Sequence, residues 1–125
     1  MEKLRGTENV GNRQICSIRC TAARLSGVML FAQNRNQEAE DAFQKALAYG
    51  RQFVQEVPMH PYSYLGNVRT YVNYAEFLAA TDRHQEAEKA AECGMEALIM
   101  ARSYSDDPNA FSKEFDRLKQ LSVHA

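Results

Sequence analysis

A chain of 125 residues with 45% hydrophobic and 25% charged side chains fits one domain with a real though small core, and this balance excludes a disordered chain. The formal net charge of -1 is unevenly spread: residues 1–37 hold six basic and two acidic side chains, the remainder nine and fourteen. No apolar run approaches the roughly 18–20 residues that span a bilayer, no apolar leader core opens the chain, and three cysteines make no disulfide framework; a cytoplasmic location without membrane association is therefore expected.

Residues 1–11 are polar, contain Gly6 and Gly11, and read as a mobile tail. From about Asn12 an apolar stripe begins, Ile15, Ile18, Ala22, Leu25 and Met29, whose steps of three and four predict a helix to about Gln33 with this stripe facing the core. Ala23, Ser26, Gly27 and Leu30 widen it. Gly27 sacrifices about 1 kcal/mol of helix propensity, which is tolerable where another helix must come close. Cys16 and Cys20 share a face and read as small buried side chains, because no histidine or further cysteine stands near enough to complete a metal site. Asn34 to Asn36 make a turn, since asparagine tolerates the left-handed conformation. The second helix carries Ala39, Ala42, Phe43, Ala46, Leu47, Phe53, Val54 and Val57 on a broad apolar face and stops at Pro58 and Pro61.

The third helix opens near Pro61 with Leu65, Val68, Tyr71, Val72, Ala75, Leu78 and Ala79; its tyrosines, at helical spacing, read as core with hydroxyls at the rim. Thr81 to His84 form the next turn, with Asp82 in the place of Asn34. The fourth helix has a face of small residues, Ala87, Ala90, Ala91, Gly94 and Ala101, with Met95 and Leu98. Tyr104 to Asp107 break the pattern, and Asp107-Pro108 reads as the N-cap and first turn of a fifth helix bearing Phe111, Phe115, Leu118 and Leu121.

One stretch orders these elements. QEAEDAFQKAL at Gln37–Leu47 returns 48 residues later as QEAEKAAECGM at Gln85–Met95, with Ala39 and Ala87 in register and Phe43 answered by Ala91. A fixed-period echo is the mark of a stacked helical repeat. The reading is a single all-α domain over 12–121: αα-hairpins at about 12–57 and 61–104, then a half-repeat or cap at 108–121. Ala39, Phe43 and Ala46, with Gly27 and Leu30 before them, resemble the tetratricopeptide repeat, and Tyr71, Tyr74, Ala75, Leu78 and Ala87 resemble it again. The period is 48 rather than about 34, so the chain resembles a long-helix branch common in bacterial scaffold and signalling proteins. The resemblance implies a right-handed αα-hairpin superhelix, a solenoid whose concave face, lined by the first helix of each repeat, binds partners.

No glycine-rich phosphate loop, HExxH or nucleophile elbow occurs. Glu38 with Glu40, and Glu86 with Glu88, point to different helix faces, and basic residues concentrate only in the first helix. The expected function is therefore non-catalytic, with no cofactor, metal or nucleic acid: an interaction module or adaptor that holds a partner's peptide or helix, with an acidic group, in the groove. Helical spacing sends Arg24, Val28 and Phe31 of the first helix and Arg69, Val72, Asn73 and Glu76 of the third into that groove. Chaperone-binding members of the resembled family clamp a terminal carboxylate there, and Arg24 and Asn73 match their positions. The alternatives are homo-oligomerisation through the open end of the fifth helix, or a regulatory domain of a larger signalling protein.

Overall fold

The computed structural model describes residues 2–123, and side-chain surroundings from Ile15 to Ser122. It contains five helices and, among the described residues, no strand: α1 (Glu2–Ala32), α2 (Asn36–Glu56), α3 (Pro61–Ala80), α4 (His84–Ser103) and α5 (Ser112–Val123). Helix α1 begins at Glu2, so residues 2–11 continue the helix where the polar composition suggests a tail. No proline lies in this stretch, and two glycines lower helix propensity without blocking the hydrogen-bond ladder. Met1, His124 and Ala125, and the side chains of Lys3, Arg5 and Arg13, lie outside the described residues.

The same turn is built twice, 48 residues apart. Asn34 and Asp82 both adopt φ 62, as the sequence anticipates for residues that tolerate the left-handed region. Arg35 N–H then donates back to the Leu30 carbonyl at 2.9 Å and Arg83 N–H to that of Leu78 at 2.8 Å, closing α1 and α3 alike. Arg35 pairs with Glu38, and Arg83 with Glu86. Arg83 also reaches Glu40 of α2, and hydrogen bonds to both carboxylates raise its pKa.

Each helix packs against its chain neighbour, and α3 also touches α1 and α5. Helices α1, α3 and α5 therefore lie side by side, with α2 over the seam of α1 and α3 and α4 over that of α3 and α5. The centre is aromatic. Phe43, 1% exposed, meets Tyr74 and Phe77 with ring centroids 5.7 and 5.6 Å away, and Phe31 stands edge-on to Phe77 at 5.2 Å. A Cβ placed on Gly27 would lie 2.7 Å from Cε1 of Phe43, so the ring fills the space of the missing side chain. In α4, Gly94 admits Leu118 and Tyr71 in the same manner.

Further sequence expectations change. Asp107 Oδ1 accepts from Asn109 N–H at 2.9 Å, but this capping contact closes only a local turn; Phe111 takes φ 61 and α5 starts at Ser112, not at Pro108. The larger change is the phase of α1. Its buried face is Cys16, Cys20 and Gly27, with Leu30 and Phe31 packed at the core edge, while Ile15, Ile18, Ala22, Leu25 and Met29 are exposed. Small side chains let α2 and α3 approach the α1 backbone, and the bulky stripe is left outside. The expectation that no apolar run reaches spanning length is also corrected, because Ile15–Ala32 is long and apolar enough to cross a membrane by length and composition, with 18 residues and a mean hydropathy of 1.3; only 17% of it is buried within the fold.

These contacts set measurable stabilities. Phe43→Ala should lower the unfolding free energy by about 3–5 kcal/mol, read in urea titration; a loss below about 1 kcal/mol would mean that the ring is not the wedge. Gly27→Leu should destabilise by about 1–3 kcal/mol despite leucine's better helix propensity. Thiol labelling checks the phase of α1: in the folded protein Cys93, which is exposed, should react, whereas Cys16 and Cys20, whose thiols burial pushes to higher pKa, should react only on unfolding.

Candidate functional site

The side-by-side row of α1, α3 and α5 creates a cleft of about 280 Å³ lined by Arg24, Arg69, Val72, Asn73, Lys113, Glu114 and Arg117. Four cations and one carboxylate face it. Arg24 Nη1 donates to Asn73 Oδ1 at 3.0 Å, a contact from α1 to α3 that holds the guanidinium over the cleft. Arg69 Nε points to Glu114 Oε1 at 3.5 Å, a long contact from a half-exposed arginine to a largely covered carboxylate, and Arg117 pairs with Glu76. Among the described residues, Arg24 meets no carboxylate within ion-pair distance. Burial lowers its pKa, and the neighbouring charges of Arg69 and Arg117 lower it further. Guanidinium groups that repel one another in a partly desolvated cleft favour an incoming anion.

A smaller hollow of about 130 Å³ adjoins this cleft and shares Arg24 and Arg69. Ser17, Cys20, Thr21 and Ser63 line it, and among the described residues no carboxylate does. Ser63 Oγ is buried there and, among the described residues, has no hydrogen-bond partner. On the opposite side, between α2 and α4, lies a wider cleft of about 400 Å³, lined by Val54, Tyr64, Tyr71, Ala97 and Met100 among others. Tyr71 is half-buried at its base, and desolvation raises its pKa.

The structure brings together four of the seven residues that helical spacing selects: Arg24, Arg69, Val72 and Asn73. Glu76 stands beside them through Arg117. Val72 is 1% exposed, so it forms the floor and offers no projecting contact. Phe31 is turned toward Phe77 at the core edge, and Val28 lies open on α1 outside the cleft lining. Both are corrections with one cause: the aromatic centre draws α1 inward at Phe31, which rotates Val28 away. Lys113 and Arg117 complete the cleft and escape the sequence reading. A signal existed, because Arg117 stands 48 residues after Arg69; aligning α5 on Pro108 hides it.

The chain matches no protein family, no curated protein and no solved structure among those compared.

The geometry separates two kinds of side chain in the cleft. Asn73→Ala should free the Arg24 guanidinium at a cost of about 0.5–1.5 kcal/mol, the net value of one hydrogen bond, whereas Arg69→Ala should change stability by less than about 1 kcal/mol, since the arginine is half-exposed and its contact long. Chemical denaturation of both variants checks the order.

Proposed function

We propose that this chain is a non-catalytic interaction module of tetratricopeptide type, whose α1, α3 and α5 form the concave wall of a short αα-hairpin solenoid and hold an acidic peptide or helix. The observation that carries this reading is the cleft in which Arg24, Arg69, Lys113 and Arg117 converge while Arg24 has no carboxylate within reach among the described residues. The twofold turn at Asn34 and Asp82, and the small-residue helix faces, support the repeat reading. The convergent guanidinium groups suit a carboxylate, since arginine presents the planar fork that a carboxylate accepts in two hydrogen bonds. A reducing, cytoplasmic setting accords with three unpaired thiols.

The test is a peptide array of acidic sequences, each matched with a counterpart in which Asp and Glu become Asn and Gln. Acidic members should bind and their neutral counterparts should not, with affinity falling as salt rises. Calorimetry with the best binder should show Arg24→Glu and Arg69→Glu each losing at least tenfold in affinity, and Arg24→Lys weakened to a smaller extent. Unchanged affinity in both reversals would move the site out of this cleft, and the apolar cleft between α2 and α4 would be the next to test.

A further inference from the structure

Helix α1 is apolar on two opposed sides, and the fold uses one. The inner side, Cys16, Cys20 and Gly27, is buried against α2 and α3. On the outer side Ile15 is 46% exposed, Ile18 66%, Leu25 47% and Met29 62%, with Ala22 open between them. Their steps of three, four, three and four keep all five within a narrow arc of the helix, the seam of a two-helix coiled coil rather than the broad face of a helix lying on a globular core. We propose that this outer face of α1 pairs with the same face of a second copy, giving a twofold dimer independent of the anion cleft.

Three features favour a second copy over other occupants. The spacing is self-complementary, since a seam that repeats every three and four residues packs best against a helix of the same period. No acidic residue occurs from Ile15 to Ala32, and the two arginines in that span are engaged elsewhere: Arg19 lies over the Tyr49 ring at 5.9 Å and Arg24 bonds to Asn73. By the same heptad the residues beside the seam are Arg19, Thr21, Ser26 and Val28, so the one charge that borders it is Arg19, held over the Tyr49 ring. The stripe and its flanks expose on the order of 500 Å² per copy, at the upper end of the largest patch on an ordinary monomer and more than half of the roughly 800 Å² per partner in a standard interface. A lipid surface is less well matched, because an interfacial helix carries cations on its polar face and here that face is buried in protein. Ala22 sits at the midpoint of the stripe, with Ile18 four residues before it, Leu25 three after it, and Ile15 and Met29 seven to either side. The small residue allows the closest approach at the twofold axis, and the larger ones interlock outside it.

Light scattering after size exclusion at about 100 µM, well above the micromolar range of a modest interface, should give twice the 14.2 kDa chain mass, and the melting temperature should rise with protein concentration. Ile18→Glu with Leu25→Glu should give a monomer whose melting no longer depends on concentration, with an unchanged circular dichroism spectrum, since both side chains are exposed in the single chain. In a Cys93→Ser background, Ala22→Cys should form an intermolecular disulfide under mild oxidation. A wild-type monomer at that concentration, or a dimer that survives the double substitution, overturns the proposal. So does a monomer that binds phosphatidylcholine–phosphatidylserine vesicles through Ile18 and Leu25, which assigns the face to a lipid surface. Because neither residue lines the cleft, acidic-peptide binding should persist in the monomeric variant, so this test fails or succeeds separately from the groove reading.

Discussion

The packing of one ring sets the positions of three helices. Phe43 leaves α2, passes into the space that Gly27 keeps open on α1, and closes on Tyr74 and Phe77 of α3. A ring wedged in this way fixes distance and rotation together, since interiors are packed densely enough that neither can drift without opening a void. The second hairpin solves the equivalent problem with less volume. Ala75 and Ala91 stand where Gly27 and Phe43 stand 48 residues earlier, and both are fully buried. Large against none, and small against small, are two ways of filling the same gap between helices. The asymmetry places the aromatic mass in the first hairpin.

That difference explains what the residues disclose in advance and what they conceal. The paired turns were legible because they depend on backbone conformation: Asn34 and Asp82 are among the few residue types that accept a positive φ, and their positions relative to QEAE repeat. The buried face of α2 was legible because Ala39, Phe43, Ala46, Leu47 and Phe53 are its only apolar stripe. Helix α1 offered two stripes, and counting bulk selects the wrong one. Close approach rewards small side chains, so Cys16, Cys20 and Gly27 go inside although Ile18 and Leu25 are more hydrophobic. Phe77 was missed as the hub of the aromatic cluster because α3 is buried on nearly every side, which leaves its periodicity weak.

The cleft shows the same division. Arg24, Arg69 and Asn73 follow from helical spacing on two helices that lie side by side, so their convergence could be read from phase alone. Lys113 and Arg117 could not, because the turn at Phe111 shifts the start of α5 by about one helical turn. The electrostatic consequence is tertiary: Arg24 loses solvent and gains two cationic neighbours only when α1, α3 and α5 come together. Its hydrogen bond to Asn73 supplies an oxygen but no countercharge. A neutral acceptor orients a guanidinium while leaving its charge available, which is what a site for an incoming anion requires.

The attachment of α1 links these observations. Beyond the Phe43 wedge, α1 is tied to the rest of the chain by weak polar contacts: the Cys16 thiol lies 3.4 Å from Glu56, Cys20 lies 3.8 Å from Thr70, and Arg24 donates to Asn73. Thiols are poor donors, so most of the docking energy is burial on the inner face. A long helix that packs closely on α2 along its inner face still turns a second apolar face to water. Covering the outer stripe removes apolar surface from water without altering an inner contact, and it acts only on the docked, folded helix. By mass action that covering stabilises the docked state. The same helix carries Arg24 on its flank, so whatever holds α1 in place also holds the guanidinium in the cleft. The cleft side chain and the outer stripe lie on different faces of this one element, and no residue belongs to both.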